Sequence, residues 1–72
     1  MDRVISYKGF HIRAFEQTQG CWLAEIRRAT GGWIIVCSSG ERREVLTTSA
    51  IRRTAIDATE FAIELIDGGG MK

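Results

Sequence analysis

The chain has 72 residues, two cysteines, no proline and a formal net charge of +1, and 44% of its residues are hydrophobic. This length suits one small domain near the lower limit for a self-sufficient core, and two cysteines are too few for the disulfide framework of a small secreted protein. No apolar run is long enough to span a bilayer, and the N-terminal sequence lacks the basic-then-apolar form of a signal peptide, so we expect a cytoplasmic protein.

The charge is distributed unevenly along the chain. Residues 1–53 hold nine basic and five acidic side chains, whereas residues 54–72 hold one basic and four acidic ones. Eight of the ten basic residues are arginine, so the first part of the chain is mildly basic and rich in guanidinium groups. This balance permits a polyanionic partner without requiring one.

Three strands are predicted in the first part of the chain. Residues 4–7 form a short strand, and Lys8-Gly9 has the composition of a two-residue turn. Apolar and polar residues then alternate over 10–16 and over 21–27, as in half-buried strands. A three-residue loop at 18–20, with its glycine in the left-handed position, sets a register that directs the apolar residues of both strands to one face. Those residues are Phe10, Ile12, Ala14, Trp22, Ala24 and Ile26.

A fourth strand is predicted at 33–37. The segment is apolar on both faces, which is typical of a strand covered on both sides. Residues 38–40 end the strand, a charged connector follows at 41–44, and residues 45–46 either add a short edge strand or anchor the start of the helix. The preceding turn is expected to direct three residues to the covered face, Trp33, Ile35 and Cys37.

A helix is predicted over residues 48–67. Its apolar positions recur in alternating steps of four and three, the spacing of one helical face. Its N-cap is expected among Thr47, Thr48 and Ser49, and Gly68 fits the left-handed position after the last turn. The apolar positions are Ile51, Ala55, Ala58, Ala62 and Leu65.

Together these elements predict one α+β domain over residues 1–67, followed by a flexible C-terminal tail at 68–72. A three- to four-stranded antiparallel sheet is covered on one face by the single C-terminal helix, in the order β-β-β-β-α. The predicted core adds Ile5 and Tyr7 of the first strand to the covered-face and helix positions named above. Small alanines opposite tryptophans predict a helix that lies close to the sheet.

Several segments of the chain carry a resemblance. Residues 7–12 and 22–26, then Thr47 and an alanine-bearing helix that ends at Ile66-Asp67-Gly68, resemble a group of small bacterial single-domain proteins of unknown function. The resemblance implies an antiparallel sheet followed by one long C-terminal helix, with the outline of a double-stranded-RNA-binding domain that lacks its first helix. It covers nearly the whole chain, but its motifs are structural and imply no catalytic residue.

The uncovered face of the sheet is predicted to carry basic, aromatic and apolar side chains together. A half-apolar face favours a protein partner, either a second copy of the chain or a neighbouring protein. Arginine and aromatic side chains on an open sheet are also found in nucleic-acid-binding domains, which we keep as the alternative. The residues of this surface are His11, Arg13, Phe15, Leu23, Arg27, Ile34 and Val36.

A second candidate surface lies on the flank of the helix. Ile56 and Ile63 are one heptad apart and extend the apolar surface beyond what packing on one sheet requires. Either loop residues cover them, or they form a dimer flank against the same helix of a second copy.

The candidates for chemistry are few. His11 is the only histidine, and toxin ribonucleases of the HicA type carry a lone catalytic histidine on a strand of a similar sheet, within a Gly-Ser-His motif. Gly9-Phe10-His11 departs from that motif at the middle position. Cys21 and Cys37 are expected to be free thiols, with Cys37 in the core, and with His11 they lack the spacing of a metal site.

We therefore expect no catalytic residue, cofactor or metal. The sequence predicts a non-enzymatic interaction module that self-associates, most simply as a homodimer. Nucleic-acid binding by the open sheet face is the first alternative, and a HicA-like toxin ribonuclease is the second.

Overall fold

A computed structural model describes residues 3–72 of the chain, and it confirms the predicted α+β class. The elements in chain order are β1 Arg3–Tyr7, β2 Phe10–Thr18, β3 Cys21–Arg28, β4 Ile34–Ile35, β5 Arg42–Arg43, β6 Leu46–Thr47 and α1 Ala55–Asp67. Four strands form an antiparallel sheet in the order β1-β2-β3-β6, two more form a separate antiparallel pair, β4-β5, and α1 lies across β2 and β3 of the main sheet.

Two hairpins build the first three strands, as the sequence predicts. Lys8 and Gly9 both have positive φ angles, 48° and 84°, which is the conformation of a two-residue turn whose twist matches that of its strands. In the second hairpin Ile12 lies opposite Ile26, which confirms the predicted register. A bulge before Thr18 absorbs one residue, so the turn is two residues long instead of three.

The far edge of β3 is occupied by β6 and by the residues that follow it. Thr48 continues the pairing: its main-chain N–H donates to the Ala24 oxygen at 2.9 Å, and its Oγ1 accepts from the Ala24 N–H at 3.0 Å. Arg52 then exchanges two main-chain hydrogen bonds with Trp22. Residues 48 and 52 are therefore paired with the edge of the sheet, and the predicted helical start at residue 48 is wrong.

The helix begins at Ala55, seven residues later than the sequence predicts. Thr54 is the N-cap, and its Oγ1 accepts from the Asp57 N–H at 3.1 Å. The predicted caps Thr47, Thr48 and Ser49 are corrected by this observation. Asp57 in the first turn also complements the positive end of the helix dipole.

The helix ends in one left-handed residue and two capping hydrogen bonds. Gly69, at φ 77°, takes the left-handed position that the sequence assigns to Gly68. The Gly70 N–H donates to the Leu65 oxygen at 2.9 Å and the Gly69 N–H to the Ile66 oxygen at 3.4 Å, the pattern of a Schellman motif.

A side-chain cluster ties this end of the helix to the first hairpin turn. Lys8 Nζ and Tyr7 Oη each lie 2.6 Å from a carboxylate oxygen of Asp67. The hydrogen bond from Lys8, followed by the one from Tyr7, holds the pKa of Asp67 below its usual range. The cluster offsets the unfavourable position of an acidic residue at the negative end of the helix dipole.

The glycine-rich segment after the helix is packed against the rest of the fold. Met71 is 5% exposed and lies in the core, opposite Val36 in an antiparallel bridge. Lys72 N–H donates to the Ile35 oxygen at 2.9 Å, and Ile35 N–H donates to the Lys72 main-chain oxygen at 3.0 Å. The structure thus corrects the prediction of a flexible tail at 68–72.

The core contains the predicted residues of β2 and β3 and most of those of the helix, but not those predicted for β4. The buried members are Phe10, Ile12, Ala14, Ala24, Ile26, Ile34, Ala58, Ala62 and Met71. Ile5, Tyr7, Trp22, Ala55 and Leu65, which were also predicted, are half-buried against them.

Four predicted core residues are exposed instead: Trp33, Ile35, Cys37 and Ile51. Trp33 is 53% exposed, and its main-chain oxygen accepts a hydrogen bond of 2.6 Å from Arg28 Nε. Because β4 is two residues long and pairs with β5 and with residues 70–72, it does not continue the register of β3. Ile34 points inward where Trp33 and Ile35 were expected.

We expect Met71→Ala to destabilise the fold by about 2–4 kcal/mol, because it removes most of a buried side chain from the core. Lys72→Ala, at the exposed neighbouring position, is the matched control and should change the free energy of unfolding by less than about 0.5 kcal/mol. Urea unfolding followed by circular dichroism measures both. Equal midpoints for the two variants would contradict the packing of Met71.

Candidate interaction surfaces

The face of the main sheet opposite α1 carries most of the predicted partner surface. Strand pairing arranges its side chains in cross-strand rows: Ser6, His11 and Arg27 form one row, and Phe15 lies opposite Leu23. We call this surface the open face. It carries five of the seven predicted residues, His11, Arg13, Phe15, Leu23 and Arg27, of which Leu23 is buried, at 8% exposed, and so is not available to a partner.

The other two predicted residues, Ile34 and Val36, are not on the open face. Ile34 is fully buried in the core, and Val36 is half-buried beside Met71. Both belong to the β4 region, which pairs with β5 and the C-terminal segment instead of with β3. Their assignment to the open face is therefore corrected.

Glu25 is the electrostatic centre of the open face. Its carboxylate accepts from Arg13 at 3.3 Å and from Arg27 at 3.4 Å. The hydrogen bond from Arg13 is the main cause that holds the pKa of Glu25 below its usual value. The Arg13 guanidinium also lies 5.2 Å from the centre of the Phe15 ring. Both arginines are thus oriented by contacts within the chain.

The candidates for chemistry do not assemble into a site. His11 is half-buried and lies opposite Ser6 and Arg27 in the sheet. Cys21 and Cys37 are free, as predicted, although Cys37 is exposed and not in the core. Within residues 3–72, no group of three or more histidine, cysteine or acidic side chains is placed to hold a metal ion.

The free edge of β1 is a second surface, and the sequence does not indicate its position. No strand within residues 3–72 pairs with the outer side of β1. Beside this edge, a groove of about 250 Å³ is lined by Ile5, Ala55, Ile56, Thr59 and Glu60. We call Ile5, Ala55 and Ile56 the β1 edge strip.

The structure separates the two residues of the predicted dimer flank. Ile63 is half-buried against the core, whereas Ile56 is 67% exposed. Ile56 therefore contributes to the edge strip and Ile63 does not. From the sequence, only an unpaired outer side of β1 could have been inferred, because β2 is its one predicted neighbour; the placement of this edge beside Ile56 could not.

Two further observations bear on identity. No helix within residues 3–72 has the length and apolar character needed to cross a membrane. Comparison of the chain with protein-family models, with curated proteins and with solved structures finds no match. The resemblance to small bacterial proteins of unknown function stays a prediction. The open face and the β1 edge strip are the features that bear on function.

We expect Glu25→Gln to lower stability at neutral pH by up to about 1 kcal/mol, because it removes the charge that both arginines contact. The folded-state pKa of Glu25 is lowered, so this stabilisation is present above its unfolded value near 4.5 and is lost as the pH falls through the folded value. The difference between wild type and variant should therefore shrink below about pH 4.5.

Thermal unfolding between pH 3 and pH 7 measures this difference. Glu64→Gln, at an exposed position on α1 and so on the other side of the sheet from Glu25, is the control and should match wild type throughout. A difference for Glu25→Gln that stays constant with pH would contradict a role for its charge.

Proposed function

We propose that this protein is a non-enzymatic interaction module that self-associates as a homodimer through the β1 edge strip. The observation that carries the proposal is the exposure of Ile56 beside an unpaired strand edge and an apolar groove. An exposed apolar patch of this kind on a small domain is typical of a protein contact. A second copy is the simplest occupant, because a twofold axis makes one patch complementary to itself.

The open face is less suited to this contact. Its two arginines are engaged with Glu25, and burying that charged network against a second copy requires desolvating it. The edge strip contributes aliphatic side chains and carries one acidic neighbour, Glu60. Association at the strip therefore removes apolar area from water at a smaller electrostatic cost.

The expected contact is small. The whole described surface is 4877 Å², and a standard interface buries about 800 Å² per partner. A strand edge with one flanking isoleucine falls below that size, so we expect reversible, micromolar association. We also propose a cytoplasmic location, because both cysteines are free thiols and the cytoplasm keeps thiols reduced.

The test is sedimentation velocity over a concentration series reaching high micromolar. Wild type should pass from monomer to dimer, and Ile56→Glu should weaken association about tenfold or more, because it places a charge where the proposed dimer buries an apolar side chain. Ile51→Glu is the matched control: the residue is the same and 58% exposed, but it lies outside the strip, in the loop before α1. This variant should dimerise like wild type.

A wild-type monomer at every concentration would contradict the proposal. So would equal loss of association in the Ile51 and Ile56 variants, because a general effect of added charge would then explain the result.

Nucleic-acid binding by the open face is a second candidate function. It is favoured by the stacking of Arg13 on Phe15, with His11 and Arg27 in the neighbouring row. Guanidinium and aromatic groups in this arrangement can contact phosphates and bases of a single strand. The engagement of both arginines with Glu25 opposes it, so we rank it second.

If the open face binds nucleic acid, Arg27→Ala should weaken binding to a labelled single-stranded oligonucleotide and reduce its salt dependence. Fluorescence anisotropy at two salt concentrations measures this, with Arg53→Ala, in the segment before α1, as the control. Wild-type binding that is absent, or that does not depend on salt, would remove this candidate. Cleavage of a labelled RNA in the same titration is the result that the HicA-like alternative requires.

A further inference from the structure

We propose that β1 pairs with β1 of a second copy in an antiparallel register centred on Ile5, joining the two four-stranded sheets into one. This inference rests on the proposed self-association and specifies its geometry. It adds main-chain hydrogen bonds to the apolar contact of the edge strip.

Some peptide groups of β1 point toward β2, and the others point toward the unpaired edge. The two-residue turn at Lys8-Gly9 makes Tyr7 and Phe10 a hydrogen-bonded pair. Hydrogen-bonded and non-hydrogen-bonded pairs alternate along the ladder, so Ile5 also bonds to β2. The N–H and C=O groups of Val4 and Ser6 therefore point away from β2, toward the unpaired edge.

The outward-facing residues determine the register of the pairing. In an antiparallel pair, outward-facing residues of one edge must lie opposite outward-facing residues of the other. With Ile5 opposite the second copy's Ile5, Val4 exchanges both hydrogen bonds with the second copy's Ser6, and Ser6 does the same with the second copy's Val4. A register centred on Ser6 would place Val4 opposite Lys8, which has a positive φ and is not extended. A register centred on Val4 would instead place the two copies of Val4 opposite each other, and the Val4→Cys variant described below distinguishes it from the Ile5 register.

The same register also brings apolar side chains of the two copies together. The Ile5 register has its twofold axis perpendicular to the sheet, so both helices lie on the same face of the joined sheet. Ile5 meets the second copy's Ile5 in a non-hydrogen-bonded pair, where side chains are closest. Ile56 of each copy then flanks this pair from the groove beside β1. The pairing and the edge strip are thus compatible with one geometry.

The two edges of the main sheet differ in a way that supports this choice. At the β3–β6 edge, three residues, 49–51, stand between the pairing of Thr48 with Ala24 and that of Arg52 with Trp22, opposite the single residue Leu23. Such an irregular edge is a poor template for another strand. The β1–β2 ladder is regular over all five residues, and β1 contains no proline. These are the properties of an edge that is open to pairing.

Engineered cysteines test the register directly. In a Cys21→Ala, Cys37→Ala background, Ile5→Cys should give a disulfide-linked dimer under mild oxidation, because a non-hydrogen-bonded pair has Cα atoms about 4.5 Å apart. Val4→Cys alone should not cross-link to itself, since its two copies would be about 8 Å apart. A mixture of Val4→Cys and Ser6→Cys chains should form the mixed dimer, because these residues are opposite each other.

The mixed pair keeps the test valid if Ile5→Cys disturbs folding, because Val4 and Ser6 are both exposed. Val4→Cys cross-linking to itself more readily than the mixed pair would overturn the register. A dimer in sedimentation that is weakened by Ile56→Glu but gives no cross-link at any of these positions would overturn strand pairing and leave self-association standing. A monomer in sedimentation removes both proposals.

Amide hydrogen exchange gives a second readout on the unmodified chain. At a concentration where nine-tenths of the chain is dimeric, exchange of the Val4 and Ser6 amides should slow about tenfold relative to the dilute monomer. The Ile5 amide, which already bonds to β2, is the internal control and should change little. Unchanged exchange at Val4 and Ser6 in a sample that is dimeric by sedimentation would contradict the pairing.

Discussion

The packing of Ala58 and Ala62 against the isoleucines of the main sheet is the contact on which the rest of the structure depends. Both alanines are buried in one cluster with Ile12 and Ile26, from β2 and β3. Side chains this small allow the helix axis to lie close to the sheet, and close packing of this kind leaves little room for rearrangement. The helix can therefore cover only one face. The opposite face is left open, and the first helical turn lies beside β1.

Hydrogen bonding at the edge of β3 decides where that helix begins. The helical spacing of apolar residues continues back to Ile51, but Thr48 and Arg52 pair with β3 and take the chain out of helical geometry. A hydroxyl that could cap a helix is instead satisfied by the Ala24 amide. Tertiary pairing outweighs local propensity here, because leaving a buried amide without a partner costs about 1–3 kcal/mol, whereas helix propensities of ordinary residues differ by less than about 1 kcal/mol each.

Local features of the sequence were enough to predict the hairpins and most residues of the open face. Lys8-Gly9 and the alternation around Gly20 specify turns and register through contacts between residues close in the chain. His11, Arg13, Phe15, Leu23 and Arg27 follow from that alternation alone. The orientation of Ile34 and Val36 could not be predicted in this way, because a run that is apolar at every position does not reveal which side faces inward. The position of the β1 edge beside Ile56 required the tertiary arrangement of the helix, which no local pattern specifies.

The bridge between Val36 and Met71 has a consequence for the order of folding. The hairpins connect residues that are near in sequence, whereas Val36 acquires its neighbour 35 residues later, after the whole helix has been placed. Closing so long a loop costs entropy that only a formed helix and its Schellman motif can offset by holding Gly70 near Leu65. The contacts of β4 with residues 70–72 should therefore form last, after its local pairing with β5. A chain whose helix has not yet docked would still expose Ile34.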